Sequence, residues 1–134
     1  MAKITDEMKR LVEDAGILAV ATATKNGEPN VIPLHFGKVL SDDEFLLVNN
    51  FMKKTIENIK ANPRVAISVW KRGDSEGYQF KGNARIESSG KIFDEGVKMV
   101  KADFPQVNPE AAVIVKVDSI YVTTPGLDAG KQVG

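Results

Sequence analysis

The chain has 134 residues, enough for one domain with a sizeable core, and its 18 basic residues balance 18 acidic ones. Neutrality removes any general electrostatic pull toward nucleic acid or an anionic membrane, so recognition of phosphate has to be local. With no cysteine and a single histidine, His35, there is no disulfide framework, no thiolate metal site and no recognisable nucleophilic constellation.

The opening Met1-Ala2-Lys3-Ile4 leads straight into a helical pattern and lacks a signal-peptide core; no apolar run approaches a bilayer span, so a cytoplasmic location is expected. Residues 5–15 read as an amphipathic helix, with Met8, Leu11, Val12 and Ala15 at helical spacing, Thr5 or Asp6 as cap and Gly16 as stop. A strand follows over 17–24, and Asn26-Gly27 is a strong hairpin signal. The returning strand, 30–40, carries Pro33, which removes a ladder donor and predicts an edge position or a bulge. Asp42-Asp43-Glu44 reads as a solvated turn into the apolar strand 44–49, which ends in Asn49-Asn50.

A short helix then opens on Lys53, Lys54 and Thr55 and ends at Asn62-Pro63. Unpaired N–H groups and the macrodipole make a helix start receptive to an anion, and two ammonium groups with a hydroxyl suit a phosphate. The alternative is equally concrete: Thr55 caps the helix and the lysines form a solvated face. Further strands are expected over 64–71, with Val65, Ile67 and Val69 on one face, and over 78–88, where Gly82 marks a bulge or a close backbone approach; residues 73–77 form a polar loop between them. A helix over 90–103 and a last strand over 112–124 complete a 1–124 domain, with 125–134 as a surface tail. Six strands with local hairpins and three peripheral helices predict a mainly β fold, a single antiparallel barrel.

No catalytic side-chain constellation stands out, yet a cofactor can supply chemistry that the protein lacks. Gly27-x-Pro29-x-x-x-Pro33-x-x-Phe36, Asn49-Asn50-Phe51-Met52-Lys53-Lys54-Thr55, Asn62-Pro63-Arg64-Val65 and Phe80-Lys81-Gly82-Asn83-Ala84 occur in an order that resembles the FMN-binding split-barrel proteins related to pyridoxamine phosphate oxidase. The resemblance spans nearly the whole chain. It implies a six-stranded split barrel that forms a homodimer with FMN at the subunit interface. It places Ile32, Pro33, Leu34 and His35 along the flavin ring, Asn49 and Asn50 where a strand end passes it, Lys54 and Thr55 on the phosphate with Lys53 as helper, and Gln79 toward the flavin of the opposite subunit. Trp70 and Tyr78 are interface or core aromatics, with Trp70 in reach of the ring of a neighbouring chain.

Two departures matter. The arginine-led strand of true pyridoxamine phosphate oxidases is replaced by Asn30-Val31-Ile32-Pro33-Leu34, and their C-terminal substrate segment has no counterpart in residues 125–134. The expected function is thus an FMN flavoprotein, an oxidoreductase or electron carrier acting through flavin N5, rather than a pyridoxamine phosphate oxidase. Rivals are a deazaflavin-dependent reductase, with Lys53, Lys54, Lys60 and Arg64 as a basic groove, and a flavin carrier or sensor without turnover. A nucleic-acid-binding barrel is disfavoured by the neutral charge.

Overall fold

The computed structural model describes residues 2–73 and 75–134. Met1, and Asp74 within the expected polar loop, lie outside the described residues, and with them the expectations for those two positions. Three helices, α1 (Asp6–Ala15), α2 (Lys53–Ala61) and α3 (Lys91–Asp103), surround one sheet of seven strands: β1 (Leu18–Ala23), β2 (Pro29–Leu34), β3 (Gly37–Ser41), β4 (Glu44–Asn49), β5 (Arg64–Trp70), β6 (Gly77–Glu87) and β7 (Ala111–Val122). The order across the sheet is β2-β1-β5-β6-β7-β4-β3, antiparallel throughout.

The expected strand 30–40 is two strands, which accounts for seven in place of six. β2 pairs with β1 from Leu18↔Leu34 to Ala23↔Pro29, and its Pro33 sits on an edge strand where a missing N–H is tolerated. After His35 the chain leaves β1 altogether: the Phe36 carbonyl accepts from Val48 N–H at 2.9 Å and β3 pairs with β4. The three Cα–Cα steps from Leu34 to Gly37 span at most about 11 Å, so the first and last strands of the sheet must approach each other and the sheet must curl toward a barrel. Gly37 stands at that crossing, where a Cβ would lie 2.7 Å from Leu18 Cδ1 and 3.2 Å from Leu47 Cδ2.

The barrel interior is filled by inward-facing residues of all the long strands, with Phe45 against Phe80 at 5.0 Å between ring centroids. α1 closes one end with Met8, Leu11 and Val12; Thr5 caps it by accepting from Met8 N–H, and Gly16 ends it in the left-handed region, as the sequence predicts. β4 is buried on both faces, because Leu46 and Val48 also face outward onto Val100 of α3. Its unbroken apolar run is the consequence. Gly82 meets both expectations: the β6–β7 register shifts there, and a Cβ would fall 2.0 Å from the Lys116 carbonyl oxygen.

The tail lies on the surface but is tied down. Residues 130–134 return along the end of β7, with Val122 N–H bonded to Lys131 O, Val133 N–H to Ile120 O and Ile120 N–H to Gly134 O. Among the described residues no helix is long and apolar enough to cross a membrane.

Candidate functional site

Where β2 stops and α2 begins, the structure opens a cavity of about 690 Å³, within the range that accommodates a cofactor-sized ligand. Ile32, Pro33, Leu34, His35, Asn50, Lys53, Lys54 and Thr55 all line it, so eight residues singled out from the sequence meet on one space. β2 supplies one wall. As an edge strand it pairs on one side only, and alternate N–H and C=O groups point away from the ladder.

The α2 start forms the polar end. Met52 occupies the cap position, no side chain caps the helix, and its first turn holds no acidic residue. Thr55 is therefore not the cap: it is the third residue of the helix, 1% exposed, and its Oγ1 accepts a 3.1 Å bond from Asn30 Nδ2. Lys53 and Lys54 are exposed beside it, and the lining carries both lysines and no carboxylate. In a chain with no net charge this end of the cavity is locally positive and its backbone donors lack a side-chain cap, which suits an anion.

The remaining wall is apolar. Phe36 and Phe104 meet edge to face at 5.9 Å, Val48, Val100 and Val107 lie behind them, and Phe51 stands at the rim, 82% exposed. Among the described residues Asn50 Oδ1 is the one buried side-chain oxygen or nitrogen without a hydrogen-bond partner. A buried acceptor left unmade is costly, so this one suits a ligand that presents an N–H. A cationic end, an apolar slot and an orphaned acceptor together fit a phosphorylated heteroaromatic ring such as FMN.

Two predicted residues do not line this cavity. Asn49 is buried and structural: its Oδ1 accepts from Met52 N–H at 2.8 Å and its carbonyl from Glu110 N–H, which turns the end of β4 into α2. Gln79 lies on β6 between Ser68 and Tyr121, on the face opposite the buried Phe80. Arg64 does not contribute to a basic groove either, since it bonds Asp118 and Asn83.

Sequence reasoning missed Asn30, Phe36, Phe51 and Phe104 as lining residues. Asn30 had a legible signal. It shares the alternation of Ile32 and Leu34, so a polar side chain falls on the inward parity of β2. Phe104 had none, because the α3 end approaches β2 only through the curl of the sheet.

A family model for pyridoxamine 5'-phosphate oxidase matches residues 4–124. An uncharacterized protein of Methanocaldococcus jannaschii, MJ0282, is 37% identical over 99% of this chain and 89% of its own length. Among solved structures, HupZ of Group A Streptococcus is 30% identical with a TM-score of 0.82, covering 95% of this chain and 99% of HupZ. An FMN-binding protein of Syntrophomonas wolfei shares the fold at 17% identity and a TM-score of 0.74, covering 90% and 92%. The chain belongs to the pyridoxamine 5'-phosphate oxidase family, and its curled antiparallel sheet with peripheral helices is that family's split barrel.

Proposed function

We propose that this protein is an FMN-binding flavoprotein, an oxidoreductase or electron carrier that works as a homodimer. The observation that carries the reading is the α2 start: uncapped backbone donors, Lys53, Lys54 and Thr55 open onto the same apolar cavity as the unpartnered Asn50 Oδ1. Lys53, Lys54 and Thr55 hold the phosphate; Asn50 accepts from the ring imide; the outward backbone of β2 around Pro33 meets the ring edge. When bound, FMN supplies hydride or electron transfer through N5. The protein contributes orientation, a positive field at the phosphate and an apolar wall that excludes water, and no side chain of the cavity is required to act as acid or base.

The dimer reading has its own support. The outer face of β2, β1 and β5 exposes Val31 (66%) and Trp70 (52%), and Ile17 lies two residues beyond the Ala19↔Ser68 pair, across from Trp70. An apolar face of this kind fits a second copy, which would bring Gln79 and Trp70 toward the neighbouring site.

Chains of this fold include an F420 reductase and a heme storage protein of Vibrio cholerae, so the test must separate chromophores. The purified protein's visible spectrum is recorded and the heat-released material weighed by mass spectrometry. Two flavin bands and the mass of FMN support the reading. A single deazaflavin band keeps the fold and replaces the cofactor, and a Soret band replaces it with heme. Colourless protein that takes up no added FMN refutes the proposal. Light scattering of the same sample gives a dimer mass or refutes that part.

A further inference from the structure

Behind Asn30 and Thr55, which line the cavity, polar side chains occupy positions where the sheet alternation calls for apolar ones. Thr22 follows Leu18 and Val20 inward, as Asn30 follows Ile32 and Leu34. Asn30 Nδ2 donates to Thr22 Oγ1 at 3.3 Å and to Thr55 Oγ1 at 3.1 Å, and Asn58 Nδ2 donates to Thr22 Oγ1 at 3.0 Å. Thr22, Thr55 and Asn58 are buried. An apolar filling would avoid the desolvation that such a cluster costs, so the cluster is better understood by what it directs than by what it stabilises.

Direction follows from hydroxyl chemistry. A threonine hydroxyl has one proton and two lone pairs. Because Asn30 donates into Thr55 Oγ1, the Thr55 proton must point elsewhere, and among the described residues no protein acceptor receives it. Thr55 also lines the cavity, between the helix start and Asn30.

We propose that Asn30, held in place by Thr22, is a positioning residue that fixes the Thr55 hydroxyl as a donor into the cavity. The site thereby favours a charged acceptor, a phosphate monoester, over the same ring ending in a neutral hydroxyl, because a hydrogen bond donated to the anion is roughly twice as strong. This rests on the flavin reading, and the matching pair of ligands is FMN and riboflavin.

Both ligands are titrated by flavin fluorescence against wild type, Asn30→Ala, Thr22→Val, Thr55→Val and the Asn30→Ala/Thr55→Val double variant. Asn30→Ala and Thr22→Val are each expected to weaken FMN roughly tenfold and to leave riboflavin unchanged, which also shows that the fold is intact. In the Thr55→Val background, Asn30→Ala causes no further loss. Equal loss of both ligands, or losses that simply add in the double variant, overturns the proposal and makes the cluster a structural filling. If Asn30→Ala does not fold, Thr22→Val carries the same test, since Thr22 does not line the cavity. Variants that keep the wild-type preference for FMN overturn this proposal alone. Wild type that binds neither ligand overturns the flavin reading and this one with it, before any variant is needed.

Discussion

Replacing Lys53 and Lys54 together by alanine should move stability in opposite directions with and without ligand. Both ammonium groups sit in the first turn of α2, which has no side-chain cap and no acidic residue. Positive charge there opposes the macrodipole by about 0.3–1 kcal/mol per exposed residue. Ligand-free, the double variant is therefore expected to be more stable than wild type by about 1 kcal/mol, an upward shift of roughly 4 °C in Tm for a domain of this size. Binding reverses the sign. A phosphate monoester carries about −1.5 to −2 charges, and a hydrogen bond to a charged partner contributes about 1.5–3 kcal/mol. The lower figure applies to exposed lysines, and the backbone donors remain, so the pair contributes about 3 kcal/mol, a loss of roughly a hundredfold in FMN affinity. Riboflavin should bind as before. Thermal melts with and without FMN, together with titrations of both flavins at low and high salt, read all of this; wild type should show the steeper salt dependence. Undiminished FMN affinity in the variant, or an equal loss of riboflavin, refutes the phosphate assignment. A ligand-free variant less stable than wild type refutes the dipole argument.

Gly82→Ala places a Cβ 2.0 Å from Lys116 O and 2.7 Å from Lys116 C, both backbone atoms that no rotamer change can move, so β6 and β7 must part. A loss above about 3 kcal/mol is expected from the urea midpoint, and near-wild-type stability would sink the close-approach account. Deleting residues 130–134 uncovers the β7 edge around Ile120 and Val122, which those residues now pair. Concentration-dependent association in light scattering is expected, and an unchanged mass at every concentration contradicts it. Side-chain hydrogen bonds from Lys9, Lys116 and Arg64 hold the carboxyls of Asp42, Asp43 and Asp118 below the ordinary value of 3.8. Carboxyls lowered in the folded state contribute stability that is fully present well above 3.8 and is lost as the pH falls through their folded values. All three pairs lie at the surface, with Lys9 and Asp43 partly covered, and are screened, so Tm should hold from neutral pH to about 5 and then decline gently below about 4. A rise in Tm between pH 5 and 3 would contradict the sign.

The elements whose partners are local in the chain were legible from the residues alone. Thr5, Gly16 and the spacing of Met8, Leu11 and Val12 specify α1 without reference to anything distant. Asn26-Gly27 specifies the β1–β2 hairpin, and Gly27 adopts the left-handed φ of +87° that such a turn needs. The run 30–40 was not legible as two strands, because nothing within it ends a strand at Leu34; the reason for the break lies at Leu47 and Val48, which receive Gly37 and Phe36 on the far side of the sheet. The alternative of Thr55 as a cap falls for a similar reason. The residue types in the first turn allow a cap, and only the meeting of α2 with β2 shows that the hydroxyl is buried and accepts from Asn30. At Asn49 the sequence places an amide beside the ligand, and the structure has its oxygen accepting from Met52 N–H and the residue outside the cavity lining.

The position of the cavity follows from the same break in the 30–40 run. Because β2 stops at Leu34 and the chain crosses to β3 within two residues, β2 and β3 stand at opposite ends of the sheet order and form no ladder with each other. A fully closed barrel would commit the outer N–H and C=O groups of β2 to a neighbouring strand. Here they face the start of α2, which packs against β1 and β2 from inside the gap, while the end of α3 reaches in from the β4 side through Val100 and Phe104. One space is therefore bounded by free backbone groups, two ammonium groups and an aromatic wall, each brought by a different element. Such a wall set suits a flat, phosphorylated ring, and on the proposed reading the reactivity resides in the bound group and the selectivity in residues such as Asn30 and Thr55.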